Sequence, residues 1–356
     1  MKILHNIKVI DLSTVLAGPS VTSFLGELGA QVIKFETPQN GGDVTRLWRL
    51  AQESNNTPIC AYFASINYCK SYATLDLQQP ESKERLLQEL ATTDILVSNF
   101  KAGDAAKFGL EPEKLAKEFP KLIQAHITGF ASRPDRVAYD VVLQAECGMM
   151  EINGDADGLP TKFPLALVDV LAAHQLKEAI LLALYQRSLT GQGAVVSVTL
   201  EKSGLSALIN QASNYMMCGE VPKRMGSLHP NIAPYGEQFV CSDGQSIVLA
   251  IGSNQQFEAF LRLIGLKHLI GDERFAVNSK RVINRSELSK YLSVAIAKSA
   301  STALLSDCLD AKIPIGLIKS MPAVIAMAES LDMVHEEMQE GITTKRIKSV
   351  AFTFDN

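Results

Sequence analysis

Residues 7–36 read IKVIDLSTVLAGPSVTSFLGELGAQVIKFE, and their pattern decides the fold. IKVIDLS is a short apolar strand, and QVIKFE is a second one. Between them GPSVTSFLGELGA is a helix with Pro19 near its first turn, where a missing N–H costs nothing. The alternation continues outward. ESKERLLQELATT predicts a helix, DILVSNF a strand, EPEKLAKEFP a short helix and LIQAHITGF another strand. Strands separated by helices of this length predict a parallel α/β sheet. A long helix follows, with small or apolar residues at 172, 173, 176, 179, 180, 183 and 184. TGQG ends it, and AVVSVTL supplies one more strand.

Strand, turn, helix, strand and then Glu36 is also the skeleton of a dinucleotide-binding unit. Glu36 lies 18 residues after Gly18, near where a ribose-binding acid would stand. The turn, however, reads LAGPSVTS and not GxGxxG. Close approach of backbone to a pyrophosphate needs those glycines, and Pro19 removes a donor. A Rossmann-like topology is therefore expected without a nicotinamide or flavin.

A length of 356 residues predicts two domains. After about residue 220 the texture changes. VPKRMGSLHPNIAPYGEQF is rich in Pro and Gly and reads as a linker or docking loop. GEQFVCSDGQSIVLAIG predicts a hairpin turning at Asp243-Gly244, and helical segments follow. The last stretch, KRIKSVAFTF, predicts a strand returning to the first domain. The expected division is a large domain of 1–220 plus 325–356 and a small α+β domain of 221–324.

Thirty-four basic and 38 acidic residues give a net charge of −4 without long runs. That excludes a broad electrostatic footprint for nucleic acid or a membrane surface, though not a local basic pocket. No secretory leader architecture opens the chain and no run of 18 apolar residues occurs. The six cysteines, Cys60, Cys69, Cys147, Cys218, Cys241 and Cys308, show no CxxC and no framework spacing. They read as reduced thiols in a cytoplasmic protein. Six scattered histidines announce no metal site.

One carboxylate stands out. LALVDVLAAHQ, residues 165–175, surrounds Asp169 with uncharged neighbours if His174 is neutral. Burying an unpaired charge is costly, so something must hold it. Three roles are open. Asp169 is a helix N-cap accepting a backbone N–H; or it pairs with His174; or it is a nucleophile toward an activated acyl group. Five residues place Asp169 and His174 about 140° apart on a helix, which disfavours the pair. Cap and nucleophile are compatible, and spacing does not choose between them.

The chain resembles the class III CoA-transferases, of the carnitine-CoA-transferase and formyl-CoA-transferase type. The resemblance runs in order through KVIDLSTVLAGPSVTSFLGELGAQVIKFETPQNGGDVTR, NYCKSYATLDL, DILVSNFKAGDAAKFGL, AYDVVLQAECGMMEINGD, VDVLAAHQLKEAILLALYQRSLTGQGAVVSVTL, HPNIAPYGEQFVCSDG and RFAVNSKRVINR. It implies two-domain chains whose large Rossmann-like domain uses both termini, and two chains threaded together as an interlocked homodimer. It implies transfer of coenzyme A from an acyl-CoA to a free carboxylic acid, with CoA a substrate and no tightly bound cofactor or metal. Asp169 matches the family's nucleophile, ahead of Arg187 and TGQG. Its carboxylate would form a mixed anhydride and then an aspartyl-CoA thioester. Tyr139 and Asp140 match active-site positions, Tyr139 as a hydrogen-bond donor near Asp169. Asn99, Phe100, Lys107 and Phe108 match the segment that holds the nucleotide. Gly18 and Pro19 would shape the first turn near the pantetheine or acyl end, and Arg46 is a phosphate contact or a surface ion pair.

The same family contains α-methylacyl-CoA racemases, whose His-Asp dipeptide supplies a proton-transfer histidine. Tyr139-Asp140 stands there instead, and an ordinary tyrosine is a poor base at neutral pH. His126 lies well upstream, in a strand. An inactive acyl-CoA-binding homologue is a further alternative, against which an intact Asp169 speaks. Departures from the family pattern are Ala172-Ala173 in place of a glycine, Leu16 in place of a polar residue, and the lack of a Gly-rich lid. A shorter C-terminal part is a fourth. They point away from formyl or oxalyl groups toward a larger or more apolar acyl group.

Overall fold

The computed structural model describes residues 2–354, the side chain of Asn40 excepted. Six strands carry its first half: β1 (Lys8–Asp11), β2 (Gln31–Glu36), β3 (Ser71–Thr74), β4 (Ile95–Ser98), β5 (Ile123–Thr128) and β6 (Val195–Thr199). All pair in parallel, in the order β3–β2–β1–β4–β5–β6. The order reverses between β1 and β4, and that switch point opens a crevice at the carboxyl ends of the strands. The connecting helices are α1 (Ala17–Glu27), α2 (Ala61–Ile66), α3 (Pro80–Leu90), α4 (Asp104–Phe108), α5 (Pro112–Glu118), α6 (Asp140–Glu146), α7 (Met149–Ile152) and α8 (Leu167–Thr190).

Strand alternation sorts the core into two layers. Val9, Val32, Ile95, Val97 and Ile123 face α1 and α8, where Ala172, Ala173, Leu176, Ile180 and Ala183 are buried. Ile10, Phe35 and Leu96 face the other way, onto Leu86 and Leu90 of α3 and Leu115 of α5. The long helix thus buries the stripe that its period predicts.

That alternation also carries Asp11 and Lys34 to the α1 side of the sheet, where both are fully buried. Such charges persist only when paired. Lys34 Nζ lies 3.0 Å from Asp43 Oδ2 and donates to the Ser13 carbonyl at 2.6 Å. Lys70 Nζ sits 3.0 Å from Asp11 Oδ2 and also donates to Pro19 O and Asn67 Oδ1. Burial alone would raise the Asp11 pKa, but the Lys70 and Lys34 ammonium groups, with the Ser13 and Thr22 hydroxyls, hold it well below the usual range. Burial lowers Lys70 to about 8, against the pull of Asp11. Lys34→Met would strand Asp43 without its cation and free the Ser13 carbonyl. It is expected to cost about 3–5 kcal/mol, read as a lower urea midpoint; an unchanged midpoint would show that the pair is dispensable.

The chain folds into two compact units. One comprises the chain up to Met150, Lys162–Val221 and the chain from Ala328 onward; the other comprises Glu151–Thr161 and Pro222–Met327. Residues 151–161 therefore lie with the second unit, where sequence pattern put them in the first. The first unit also holds α9 (Leu200–Ser206) and α10 (Ile209–Cys218).

The second unit has a three-stranded antiparallel sheet, β7 (Tyr235–Val240), β8 (Ser246–Ala250) and β9 (Ile315–Leu317), with α11 (Asn254–Leu263), α12 (Asn278–Ile283), α13 (Arg285–Ile296) and α14 (Ser301–Asp310). Its core gathers Ile247, Leu249, Phe257, Phe260 and Phe275. Asp243, in the expected hairpin turn, also accepts from the Ser301 backbone N–H and hydroxyl at the start of α14.

After α15 (Met321–Ser330), strands β10 (Val334–Gln339) and β11 (Ile342–Ile347) form a hairpin. The returning strand thus pairs with β10 and does not join the parallel sheet. Among the described residues no single helix is long and apolar enough to cross a membrane.

Candidate active site

The carboxyl ends of β1, β4 and β5 and the first turn of α8 lie at one edge of the parallel sheet, as the α/β topology requires. Asp169 is the third residue of α8 and is only 8% exposed. It is not the cap. Ala166 occupies that position and offers no side-chain acceptor. The capping oxygen comes from Asp140 at the start of α6, whose Oδ1 accepts from Val168 N at 2.7 Å and Asp169 N at 3.3 Å. Two otherwise orphaned N–H groups are thereby satisfied from another helix.

Asp140 is itself held. Gln144, one turn along α6 and fully buried, donates Nε2 to Asp140 Oδ2 at 2.6 Å. The same amide donates to Leu165 O and accepts from Phe163 N at 2.7 Å. One glutamine therefore ties the approach to α8 and its capping carboxylate into a single frame.

With its own N–H bound to Asp140, the Asp169 carboxylate is presented without an ion-pair partner among the described residues. Burial, and then the Asp140 charge, raise its pKa to about 7. A desolvated carboxylate with a raised pKa is a stronger nucleophile than one in water, and it is available near neutral pH. His174 is exposed.

Tyr62 of α2 is half-buried, and burial pushes its pKa up to about 12, followed by the charges of Asp169, Asp140 and Asp43. Its hydroxyl is thus held protonated within electrostatic reach of those carboxylates, and its ring packs edge-on against Trp48 at 4.9 Å. Pattern reading passed Tyr62 over because AYFASI has the texture of a core helix. Tyr139 caps α6 with its backbone, but its side chain is 52% exposed and no hydrogen bond joins it to Asp169. His126 Nδ1 meets Ser98 Oγ at 2.8 Å on the neighbouring strand, and burial lowers its pKa.

The loop after β1 is shaped with care. Val15 holds a left-handed φ of 71°, a strained choice for a β-branched residue. Asn99 clamps the loop through both amide atoms, accepting from Thr14 N at 3.0 Å and donating to Thr14 O at 2.8 Å. Gly18 and Pro19 are buried in the first turn of α1. A Cβ on Gly18 would lie 2.3 Å from Ser13 Cβ, so only glycine lets α1 start so close to the loop.

Phe100 and Phe108 pair at 5.7 Å, partly buried against the α3 and α5 layer. Exposed Lys107 lies 5.5 Å above the Phe108 ring. Asn99, Phe100, Lys107 and Phe108 are thus neighbours after β4, beside the switch point.

Arg46 is placed otherwise. Its guanidinium stacks on Phe63 at 3.8 Å, pairs with Glu36 at 2.8 Å and Glu340 at 3.0 Å, and donates to Pro58 O. Of the two roles open to it, the ion pair is the one formed; a phosphate would have to displace a carboxylate. Arg187 binds Asp94 at 2.9 Å at the far end of α8, about 27 Å along the helix from Asp169, and serves as a strut.

The model of CoA-transferase family III matches residues 4–355. The succinate–glutarate CoA-transferase of Agrobacterium fabrum is 35% identical over 329 residues, 91% of this chain and 82% of that protein. The succinyl-CoA:glutarate CoA-transferase of Mus musculus is 35% identical over 335 residues, 93% of this chain and 75% of its own. A crystal structure of a CaiB/BaiF family protein from Brucella suis superposes with a TM-score of 0.82 at 34% identity, covering 99% of this chain and 93% of that one. With these relatives spanning the sheet, the α8 carboxylate and the second unit alike, the chain belongs to CoA-transferase family III, enzymes that move coenzyme A from an acyl-CoA to a free carboxylic acid.

Proposed function

We propose that Asp169 carries the transfer covalently. Its carboxylate attacks the donor thioester carbonyl, the C–S bond breaks and CoA leaves as thiolate, giving a mixed anhydride. The thiolate attacks the aspartyl carbonyl and expels the donor acid, leaving an aspartyl-CoA thioester. The acceptor carboxylate opens that thioester to a second anhydride, and the thiolate then takes the acceptor acyl group and frees Asp169. The observation that carries this proposal is a buried carboxylate with no ion-pair partner among the described residues, aligned through its own N–H by Asp140. In it Tyr62 donates to the developing oxyanion, Tyr139 borders the site, and Asn99, Phe100, Lys107 and Phe108 receive the nucleotide end of CoA. CoA enters as a substrate, and the chemistry asks for no bound metal or cofactor.

We take a short dicarboxylic acid as acceptor, since the relatives named above act on succinate and glutarate. This replaces the larger or more apolar group that the family departures suggest. A homodimer is supported by the apolar side chains the single chain leaves exposed, including Leu182, Tyr185 and Leu189 on α8 and Met217 on α10. Six unpaired cysteines, four of them buried, suit a reducing cytoplasm.

Incubation with succinyl-CoA, followed by peptide mass spectrometry, tests the mechanism. A CoA adduct on the Asp169 peptide is expected; turnover without any adduct on that peptide, under trapping conditions, would overturn it. The pH profile is a second check. The nucleophile must be ionised, so kcat/KM is expected to rise tenfold per pH unit below about 7 and level off above it. An acid limb near pH 4 would mean that Asp169 is not the group titrating.

A further inference from the structure

We propose that Cys69, His335 and Glu337 form a binding site for a thiophilic divalent cation, with zinc the best fit. The three residues are far apart in sequence, Cys69 and His335 by 266 positions. In space Cys69 Sγ lies 3.7 Å from His335 Nε2, and the same nitrogen lies 3.1 Å from Glu337 Oε2. The three ligand atoms all fall within 4.8 Å of one another. A tetrahedral zinc with Zn–S of about 2.3 Å and Zn–N or Zn–O of about 2.0–2.1 Å has ligand edges of about 3.3–3.6 Å. The two measured edges bracket that range.

Without a cation these groups can hydrogen-bond among themselves, His335 Nε2 meeting both the Cys69 sulfur and Glu337 Oε2. A thiol, an imidazole nitrogen and a carboxylate oxygen at these spacings are equally the donor set of a zinc site. A divalent ion at the centre takes a lone pair from each atom. On binding, the thiol proton passes to solvent, and the thiolate and carboxylate together balance the ion's charge.

The surroundings hold these groups in place. His335 and Glu337 alternate on β10 and so share one face. Cys69 adopts a left-handed φ of 55°, and its backbone N–H donates to Glu337. Its turn packs against α1 at Gly26, where a Cβ would come 2.5 Å from the Cys69 carbonyl oxygen. Arg346 and Gln339 both donate to Glu337 Oε1, while Oε2 faces His335 and also accepts from the Cys69 N–H at 3.1 Å. Such partners orient a carboxylate ligand. His335 and Glu337 are each about a quarter exposed, so an ion can enter and water can fill the fourth position.

Thiolate and imidazole select zinc or cobalt over magnesium and calcium. Such an ion ties the turn at residue 69 to the C-terminal hairpin, binding the folded chain and not the unfolded one, and so stabilises the fold. The site is separate from Asp169, and the chemistry of CoA transfer does not pass through it.

The test is titration of the metal-free full-length protein with Co2+ and then Zn2+. One equivalent of cobalt is expected to give thiolate-to-metal charge transfer and intense tetrahedral visible bands, both abolished by zinc. Cys69→Ser and His335→Ala should each weaken zinc binding by about 100-fold or more, beyond the 10–100-fold typical of losing an outer partner. In the unmutated protein, zinc should also slow alkylation of the Cys69 peptide at least tenfold. No thiolate band under excess cobalt, affinity that survives both substitutions, or alkylation indifferent to zinc would each overturn the site.

Discussion

Asp169→Asn is expected to lower CoA exchange by about 10³-fold or more while making the folded protein harder to denature at pH 8. The loss follows because the amide has no nucleophilic carboxylate at the position Asp140 aligns. The gain follows from linkage. Asp169 titrates at about 7 in the fold against the ordinary carboxylate value of 3.8. Below pH 4 the carboxyl is protonated in both states and contributes no penalty. Between pH 4 and 7 the folded state binds more protons than the unfolded one, so stability falls as pH rises. Above 7 the ionised carboxylate costs the fold on the order of 4 kcal/mol, which the isosteric amide relieves. Urea unfolding of both proteins from pH 4 to 8 checks this: the two should coincide at the acid end and diverge toward the alkaline end. Full exchange activity in the variant would end the nucleophile assignment, and parallel stability curves would end the claim of a desolvated carboxylate.

Asp140 should separate geometry from charge. In Asp140→Ala the Val168 and Asp169 N–H groups lose their acceptor and Gln144 loses a partner. A cost of about 1–2 kcal/mol in stability is expected from the lost cap, with about a 10²-fold drop in kcat from misplacement of the nucleophile. In Asp140→Asn an oxygen can still accept from α8, but the negative charge is gone. That charge helps raise Asp169, so its removal lowers the Asp169 pKa and moves the acid limb of the rate profile to lower pH. Matched pH–rate profiles of the two variants test this. An Asn variant whose limb stays in place would show that Asp140 acts through geometry alone.

Much of the architecture was legible in residues 7–36 and the segments after them, because buried parallel strands and an amphipathic helix write their periods into local sequence. β3 was missed for a physical reason: SYAT is only partly buried and carries no apolar alternation. The short helices α6 and α7 lack a full period and escaped for the same reason. Asp169 was recognisable as an anomaly, and the resemblance gave it a role. Its cap was not recognisable, since Asp140 lies 29 residues away and reaches α8 only through the packing of two helices. Arg46 was ambiguous until Glu340, 294 residues along, was seen to share its guanidinium.

What the sequence by itself determined is the repeating strand–helix order, the place of Asp169 at the head of a long helix, and the lack of the glycines a dinucleotide needs. These are properties of neighbours along the chain. Tertiary structure alone decided the Asp169 environment, the neutral four-charge cluster beneath the β1 loop, and the meeting of Cys69 with His335 and Glu337. Each depends on burial and on approach between distant segments. A pKa, an ion pair or a ligand set is a property of that approach, and no local pattern encodes it.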